Sequence, residues 1–337
     1  MQTRDRWGDF PNLAGSLGED VFALVDARVA RLHPELKRAL PEASLLLQAG
    51  ERAKRLSVVE RVLTAARGLS REGTFLAVGG GTVGDLATVA AHLHRRGVRL
   101  VLVPTTLLAA VDSSMGGKGA VNLGGAKNAA GVFHEASEVW LCPELLATLS
   151  PAQLREGQVE ALKMAVCLDR RLWRAWRAGL PRPGPLVRAS RALKRSVCER
   201  DPREAGERRV LNFGHTFGHV LEALSGHRLP HGAAVRLGVV CALDVGRALG
   251  TTPATVAAEV EARFAALGER PPRVDLARWL RGHSAPRVRR LLAADKKGSA
   301  GEVRMVLLEE VGRWQLRSVP EITWSRLLGR WKRGAVP

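Results

Sequence analysis

Short apolar runs alternate with helix-like stretches through the first half of the chain. Five runs of aliphatic or β-branched residues predict buried strands at residues 21–26, 43–48, 75–80, 98–104 and 139–142. Between them, residues 51–68 and 84–97 carry apolar side chains at helical spacing, and the second stretch ends at Gly97, as helices often do. Alternating strands and helices predict an α/β domain with a mostly parallel, Rossmann-like sheet of the nucleotide-binding type.

From Ser150 onward the apolar spacing becomes helical. Ser150 suits an N-cap and Pro151 a first helical position, and helical spacing continues through residues 188–201, 231–250, 252–268 and 275–284. A hairpin that turns at Gly312 is predicted near residues 302–319. The pattern therefore predicts two domains, an α/β domain over residues 1–149 and a helical domain over residues 150–337.

Composition indicates a globular protein of the cytoplasm. The chain has 337 residues, of which 46% are hydrophobic, and no apolar run approaches the roughly 18 residues that a membrane span needs. The opening residues MQTRDRWGDF contain no apolar segment like that of a secretory signal. The four cysteines are widely spaced without a C-x-x-C pair, which predicts buried thiols rather than a zinc ribbon or disulfides.

The chain is strongly basic, with 52 Lys and Arg against 33 Asp and Glu and a formal net charge of +19. Such an excess attracts polyanions at low salt. The arginines are nevertheless scattered over amphipathic helices among acids, without an aromatic RNA-binding platform, a zinc-finger spacing or a basic tail. Solvated helix faces are therefore favoured over a nucleic-acid site, and a small anionic substrate is compatible with the charge.

A glycine-rich turn follows the third predicted strand. Gly79, Gly81 and Gly84 satisfy G-x-G-x-x-G between a strand and a helix, where backbone N–H groups can hold a pyrophosphate. A purely structural turn is the alternative. The standard dinucleotide fingerprint has an acid about 20 residues further on, but no Asp or Glu occurs between Asp85 and Asp112. The ribose partner is therefore expected elsewhere.

Residues 103–131 are rich in Gly, Ser, Thr and Ala, and their charged residues are Asp112, Lys118 and Lys127. We expect a long functional loop in which backbone amides, the two lysines and Asn128 bind phosphate or another oxyanion, while Asp112 orients a hydroxyl. A flexible surface loop is the alternative, and the scarcity of other charges argues against it.

Histidines cluster in the second half. His215, His219, His227 and His231 lie within 17 residues, which favours metal or proton chemistry. The segment H-T-F-G-H lacks the glutamate of H-E-x-x-H, so the zinc-protease arrangement is excluded. Glu160, close to Lys163 on a predicted helix, is the best candidate for a third, carboxylate ligand. The spacing alone leaves open whether His215 and His219 are two ligands or one ligand and one catalytic group.

Taken together, these motifs resemble the 3-dehydroquinate synthases. The matching segments, in order, are GGGTVGDLA (79–87), VPTTLLAAVDSSMGGK (103–118), KN (127–128), EALK (160–163), LNFGHTFGH (211–219), HG (231–232) and DKK (295–297). The resemblance implies an α/β NAD-binding domain and an all-α metal-binding domain, usually in a homodimer. It also implies conversion of a small anionic sugar-acid phosphate, 3-deoxy-D-arabino-heptulosonate 7-phosphate, to 3-dehydroquinate and phosphate in the shikimate pathway of aromatic amino acid biosynthesis.

The resemblance also implies roles for individual residues. A divalent metal, Zn²⁺ or Co²⁺, is assigned to Glu160, His215 and His231. Substrate phosphate is assigned to Lys118, Asn128, His219 and Lys296, with Arg96 donated by a partner subunit. The substrate carboxylate is assigned to Lys194, Arg208 and Asn212 with Glu204 nearby, and the ring hydroxyls to Asp112 and Lys163. NAD is assigned to Asp26, Glu51, Lys54, Gly80, Gly81, Asp85, Thr105, Thr106, Lys127 and Thr148.

Four positions depart from the family's usual pattern, and several related activities compete. Gly119 stands where Thr is typical, Ala233 where Glu is typical, Pro202 interrupts an acidic run, and His134 replaces an aromatic residue. Aminodehydroquinate, 2-deoxy-scyllo-inosose and 2-epi-5-epi-valiolone synthases share the scaffold, although the residues assigned to the carboxylate count against the last two. A metal-dependent polyol dehydrogenase of similar fold and a non-catalytic nucleic-acid-binding protein also compete with the main function.

Overall fold

The computed structural model describes residues 3–124, 126–295 and 302–335, and the chain divides into two compact units. Unit one comprises the residues up to Gly157 together with Arg182–Arg191. Unit two comprises Gln158–Pro181 and the residues from Ala192 onward. Within the described ranges, no helix combines the length and the apolar character needed to cross a membrane.

Unit one is built on a parallel sheet with short helices. Its strands are β1 (Arg4–Trp7), β2 (Val21–Asp26), β3 (Ser44–Leu47), β4 (Thr74–Gly79), β5 (Arg99–Pro104), β6 (Lys118–Leu123), β7 (Ala126–Phe133) and β8 (Glu138–Leu141). Its helices are α1 (Phe10–Ala14), α2 (Ala27–Leu32), α3 (Pro34–Arg38), α4 (Leu56–Ala65) and α5 (Gly81–Leu93). A π-helical turn spans Ala109–Ser113.

Six strands form one sheet in the order β1-β8-β5-β4-β2-β3, with every pair parallel. The α/β prediction is confirmed, and all five predicted strands lie within one residue of their expected bounds. Strand β1 escaped prediction because its sequence, RDRW, is polar, as an edge strand permits. Buried aliphatic residues of β2, β4 and β5 form the core with Phe10 and Trp140, whose rings meet edge to face at 6.5 Å.

The strand order reverses between β2 and β4. The chain runs from β2 outward to β3 and then returns to place β4 on the other side of β2. In open parallel sheets such a reversal opens a crevice at the carboxyl ends of the strands, where ligands bind. Asp26 ends β2, and the glycine turn follows β4.

The expectation of a long loop over residues 103–131 is wrong. This segment contains the π-helical turn and then an antiparallel hairpin of β6 and β7. Small residues permit the hairpin because it packs closely on α5: a Cβ added to Gly119 would lie 2.5 Å from Cβ of Thr88. Thr88 therefore fills the space that a larger residue at position 119 would need.

Unit two is mostly helical. Helices α6 (Pro151–Leu168) and α8 (Pro183–Arg200) contribute residues to both units. The other helices are α7 (Arg170–Ala175), α9 (His215–Leu224), α10 (His231–Ala248), α11 (Ala254–Ala265), α12 (Pro272–Leu280), α13 (Ala285–Asp295) and α14 (Glu321–Arg333). An antiparallel hairpin, β9 (Glu302–Glu310) and β10 (Arg313–Pro320), turns at Gly312, whose φ is +81°.

Glycines set the approach of α9 to α10. Gly214 precedes α9 with a φ of +81°, and a Cβ added to Gly238 of α10 would overlap the Gly214 carbonyl oxygen. Gly218 faces the same helix, where an added Cβ would lie 3.3 Å from the Ala234 oxygen. Because backbone meets backbone here, α9 is held closely against α10, near the histidine at the start of α10.

We expect Gly238→Ala to lower both stability and metal affinity. The added methyl group meets backbone that cannot rotate away, so the two helices must separate, at a cost of about 1–3 kcal/mol. Thermal unfolding and metal titration measure the two effects. Gly329→Ala is the control, because a Cβ on this glycine of α14 would meet no atom closer than 3.8 Å. Equal effects of the two substitutions would contradict the prediction.

Candidate active site

Glu160, His215 and His231 come together in unit two. One potential ligand atom from each residue lies within 4.8 Å of the others. Nε2 of His215 and Nε2 of His231 lie 3.7 and 3.6 Å from Oε1 of Glu160. Both carboxylate oxygens of Glu160 are buried; Oε2 is paired with the Lys163 ammonium, and Oε1 has no hydrogen-bond partner among the described residues. Two imidazoles and a buried carboxylate with a free oxygen fit a divalent cation such as Zn²⁺ or Co²⁺.

The Nδ1 atoms of the two histidines contact oxygen atoms on the side of each ring away from Glu160. Nδ1 of His231 lies 3.2 Å from Oε1 of Glu222, a buried carboxylate on α9. Nδ1 of His215 lies 3.3 Å from the Phe213 carbonyl oxygen. These contacts leave both Nε2 atoms directed toward Glu160, which is the usual outer arrangement of metal-binding histidines.

The protonation of the three groups differs in the metal-free protein. Burial and the charge of Lys163 hold the pKa of His215 well below its ordinary value, so this imidazole is neutral. Burial alone would raise the pKa of Glu160, but Lys163 and the histidines lower it well below its ordinary value. Burial opposes charge on His231, but Glu160 and Glu222 together raise its pKa to about 10. His231 thus carries a proton at neutral pH.

Metal binding is therefore expected to displace a proton from His231 and to tighten as pH rises. Between pH 6.5 and 8, the dissociation constant for Co²⁺ should fall by about tenfold per pH unit, because one proton is released per ion. In the metal-free protein the charged His231 contributes stability that is complete below pH 6.5 and is lost as pH rises through about 10.

Titrations at several pH values measure this dependence. Glu222→Gln removes one of the carboxylates that raise the pKa of His231, so its pH dependence should be shallower. Its affinity should also fall by about 10–100-fold, since a partner of a metal ligand is lost. A dissociation constant that does not change with pH in the unaltered protein would contradict the prediction.

Lys163 and His219 border the three potential ligand residues. Nζ of Lys163 forms an ion pair with Oε2 of Glu160 and donates to the Leu211 oxygen at 2.5 Å. The His219 ring lies edge to face with the His215 ring at 5.4 Å and 6.5 Å from the His231 ring. His219 is thus beside the candidate metal site but outside the group of three.

The residues assigned to a substrate carboxylate are also in unit two. Nδ2 of Asn212 donates to Oε1 of Glu204 at 2.6 Å, and Arg208 donates through Nη1 to the Pro202 oxygen at 2.7 Å. Arg208 and Lys194 are buried. Asp201 accepts from three backbone amides of this segment, those of residues 205, 206 and 208, at 2.8–2.9 Å. The departure at Pro202 therefore leaves a carbonyl that fixes the Arg208 guanidinium.

The glycine turn of unit one faces a small cavity. Gly79, Gly80 and Gly81 line it from the end of β4 and the start of α5, together with Ala109, Ser113 and Ser114. Added Cβ atoms would lie 2.6 Å from Val83 at Gly79, 3.0 Å from Thr106 at Gly80 and 3.2 Å from Ser113 at Gly81. Bare backbone at a helix N-terminus is suited to binding phosphate oxygens. Thr105, at the end of β5, has a buried hydroxyl without a partner among the described residues.

A polar network adjoins α5 and the β6–β7 hairpin. Nζ of Lys54 lies 2.6 Å from Oδ2 of Asp85 and donates to Oδ1 of Asn128 at 2.5 Å. Burial raises the pKa of Asp85, although Lys54 opposes the shift. Lys127 lies 3.8 Å from Glu51, which also accepts from Nδ2 of Asn122 at 2.9 Å. Five sequence-predicted residues thus share one network.

The other predicted residues are more dispersed. Asp26 caps α2 by accepting from the Arg28 amide at 2.8 Å, and Thr148 contacts Nε2 of His33 at 3.0 Å. Lys118 begins β6 and is exposed, and Asp112 lies in the π-helical turn. Arg96 is exposed with a φ of +68°. Lys296 lies outside the described residues.

Sequence patterns did not single out three contributing residues. Glu222 resembles an ordinary helix-face glutamate in VLEAL, Asn122 an ordinary polar residue of a turn, and Arg191 one of many scattered arginines. Their roles arise from contacts with distant segments: Asn122 with Glu51, and Arg191 with Asp5. For Glu222 alone the sequence offered a local signal, because this residue lies within the histidine cluster of residues 215–231.

Comparisons with known proteins cover both units. The family model described as 3-dehydroquinate synthase N-terminal matches residues 44–156, and that described as 3-dehydroquinate synthase C-terminal matches residues 157–298. A 3-dehydroquinate synthase of Rhodopseudomonas palustris is 36% identical, with 90% of each chain covered. A solved 2-epi-5-epi-valiolone synthase from Streptomyces hygroscopicus with NAD⁺ and Zn²⁺ bound is 25% identical, with a TM-score of 0.85 over 99% of this chain and 97% of that one. A 2-deoxy-scyllo-inosose synthase complexed with carbaglucose-6-phosphate, NAD⁺ and Co²⁺ shares the fold at 24% identity, with a TM-score of 0.82 over 96% of this chain and 95% of that one.

Proposed function

The chain belongs to the 3-dehydroquinate synthase family, and from that premise we propose that it is an NAD- and metal-dependent lyase that converts 3-deoxy-D-arabino-heptulosonate 7-phosphate to 3-dehydroquinate and phosphate. The observation that carries the proposal is the group of Glu160, His215 and His231, in which two imidazole nitrogens lie beside a buried carboxylate. When bound, NAD supplies reversible hydride transfer at C5 of the substrate, and the metal supplies Lewis acidity at the C5 hydroxyl.

Residues of unit two bind the acid end of the substrate and its ring hydroxyls in this proposal. Arg208, Lys194 and Asn212 bind the substrate carboxylate. The hydrogen bond from Asn212 to Glu204 fixes the orientation of the Asn212 side-chain amide. A guanidinium anchored on the Pro202 carbonyl keeps further N–H donors for a carboxylate. Lys163, buried beside Glu160, contacts a ring hydroxyl of the substrate. Its ammonium group stabilises the negative charge that develops on the hydroxyl oxygen when the hydroxyl proton is withdrawn.

The phosphate is bound by His219, Lys118, Asn128 and Lys296. With bound NAD accepting the C5 hydride, the C6 proton would become acidic, and phosphate would leave by β-elimination with one of its own oxygens accepting that proton. His219 holds the departing phosphate beside the metal ligands rather than binding the metal itself, in keeping with its position outside the group of three. Return of the hydride, ring opening and an aldol closure complete the reaction, for which the residues mainly hold one geometry.

NAD is assigned to the crevice at the strand reversal of unit one. Gly80 and Gly81 hold the pyrophosphate at the start of α5, with Thr105 and Thr106 at the end of β5. Asp26, Glu51, Lys54, Asp85, Lys127 and Thr148 complete the set. Asp26 and Glu51 precede the glycines in sequence, which accounts for the missing acid downstream of the glycine turn.

We also propose a homodimer in the cytoplasm. Arg96, exposed and held at a positive φ just after α5, is the residue expected to reach the partner's phosphate site. No disulfide joins cysteines of the described residues, and burial raises the pKa of the Cys142, Cys167 and Cys241 thiols, which suits a reducing compartment. The positive charge is assigned to solvated helix faces rather than to nucleic acid.

One assay tests the function. Purified protein with NAD, Zn²⁺ or Co²⁺ and the heptulosonate phosphate is expected to release inorganic phosphate without net NADH, because the hydride returns to the product. Stoichiometric NADH from a polyol would favour a dehydrogenase instead. No turnover, or salt-sensitive nucleic-acid binding that ignores NAD, would contradict the proposal. The aminated analogue of the substrate, assayed in parallel, distinguishes an aminodehydroquinate synthase.

A further inference from the structure

Arg191, on the part of α8 that belongs to unit one, is a buried arginine with four hydrogen bonds. Its side chain donates to both carboxylate oxygens of Asp5, through Nε at 2.9 Å and Nη2 at 2.5 Å. Its Nη1 donates to the Ala110 oxygen and to Oγ of Ser114, both at 2.9 Å. Only 2% of the residue is exposed, so the ion pair with Asp5 is shielded from solvent.

The Ala110 carbonyl requires such a donor because of the π-helical turn. The Ser114 amide, which an α-helix would direct to Ala110, donates to the Ala109 oxygen at 3.1 Å. The Met115 amide, which a continued π-helix would direct to Ala110, donates to the Asp112 oxygen at 3.1 Å. Arg191 supplies the hydrogen bond that these amides do not, so the guanidinium stabilises the turn in its π form.

The turn bears on two parts of the proposed site. It contains Asp112, which is assigned to the substrate hydroxyls, and its residues Ala109 and Ser113 line the glycine cavity together with Ser114. The π-helical turn lies close to the glycine turn, since a single Cβ on Gly81 would lie 3.2 Å from Oγ of Ser113. A small displacement of the π-helical turn therefore changes both the cavity and the position of Asp112.

We propose that Arg191, oriented by Asp5, is a positioning residue that holds the π-helical turn so that Asp112 meets the substrate and Ser113 and Ser114 border the nucleotide. This inference rests on the proposed function. Lysine cannot replace the arginine, because one ammonium group cannot bridge the carboxylate, the carbonyl and the hydroxyl as the planar guanidinium does.

The test compares Arg191→Lys with Arg273→Lys. Arg273 is a matched control, because it also makes paired hydrogen bonds to one carboxylate, that of Asp244, at 3.0 Å each. Its other hydrogen bonds within the described part of the chain go to Glu261 and Ala335, which are not assigned to the site. We expect both variants to lose stability. Only Arg191→Lys should lower kcat/KM for the heptulosonate phosphate, by about 10–100-fold, as a displacement near 1 Å of a site group can do. The same variant should weaken NAD binding, measured by calorimetry well below the unfolding temperature.

The inference is overturned if Arg191→Lys loses stability as Arg273→Lys does but keeps its kcat/KM and its NAD affinity unchanged. If Arg191→Lys does not fold, Asp5→Asn replaces it, because that change weakens the pair that orients the guanidinium and alters no residue that lines the glycine cavity. A smaller decrease in kcat/KM and in NAD affinity in this variant supports the proposal. Unaltered kcat/KM and NAD affinity contradict it. An unaltered protein that binds NAD without turnover would count against the proposed function alone, and the NAD affinity of the variants would still decide the role of Arg191.

Discussion

His215→Ala is expected to lose the metal, whereas His219→Ala keeps the metal and loses phosphate release. Nε2 of His215 lies 3.7 Å from Glu160, within the group of three potential ligands, while the His219 ring lies 5.4 Å from the His215 ring and outside that group. Removing one ligand from a three-residue set should weaken metal binding by more than about 100-fold, which exceeds the usual effect of an outer partner. Removing His219 should leave the metal affinity within about threefold of its original value. It should reduce kcat, because the departing phosphate loses a residue that binds it.

Metal content after dialysis and phosphate release measure the two effects separately. His227→Asn is the control, because His227 belongs to the same sequence cluster but lies outside the group of three. Asn tolerates its φ of +60° better than Ala, so this variant should retain both properties. Equal loss of metal in the two Ala variants would make His219 a ligand and contradict the division of roles.

Lys163→Met is expected to destabilise the metal-free protein by about 3 kcal/mol, because it leaves the fully buried Glu160 carboxylate with the protonated His231 as its remaining cation. The Leu211 carbonyl also loses its donor. A bound metal ion supplies positive charge to the same carboxylate, so saturating Zn²⁺ should recover part of this loss. Activity should not return, since the metal cannot replace the ammonium group at the substrate.

Urea unfolding with and without a chelator measures this recovery. Lys54→Met is the matched comparison, because Lys54 is likewise buried and paired with a carboxylate, that of Asp85 in unit one. Metal should not restore its stability. A loss below about 1 kcal/mol for Lys163→Met would show that Lys163 does not stabilise the Glu160 carboxylate. Equal recovery of both variants with Zn²⁺ would show that the metal does not take over this role at Glu160.

Local patterns carried much of the fold. The strands around β2, β4 and β5 are continuous aliphatic runs, because both faces of a central parallel strand are buried, and this leaves a strong signal. The hairpin of residues 118–133 left almost none. Its glycines and alanines pair through their backbones and pack closely on α5, which hydrophobic periodicity does not register.

The candidate site could be predicted where its reactive side chains lie close together along the chain. Four clustered histidines pointed to a metal, and Glu160 was the reasonable carboxylate, so the geometry joins residues that were already candidates. The supporting shell was not foreseeable. Glu222 acts on His231 because α9 and α10 touch at Gly214 and Gly238, and Arg191 acts on Ala110 across 81 positions of the chain. Such partners depend on tertiary packing.

The contact between Gly119 and Thr88 has an evolutionary consequence. A methyl-bearing residue at position 119 would need the volume that the Thr88 side chain occupies. A larger residue on the hairpin therefore requires a smaller residue at position 88. The two positions are sterically coupled, so a change at one alters which residues the other can accept.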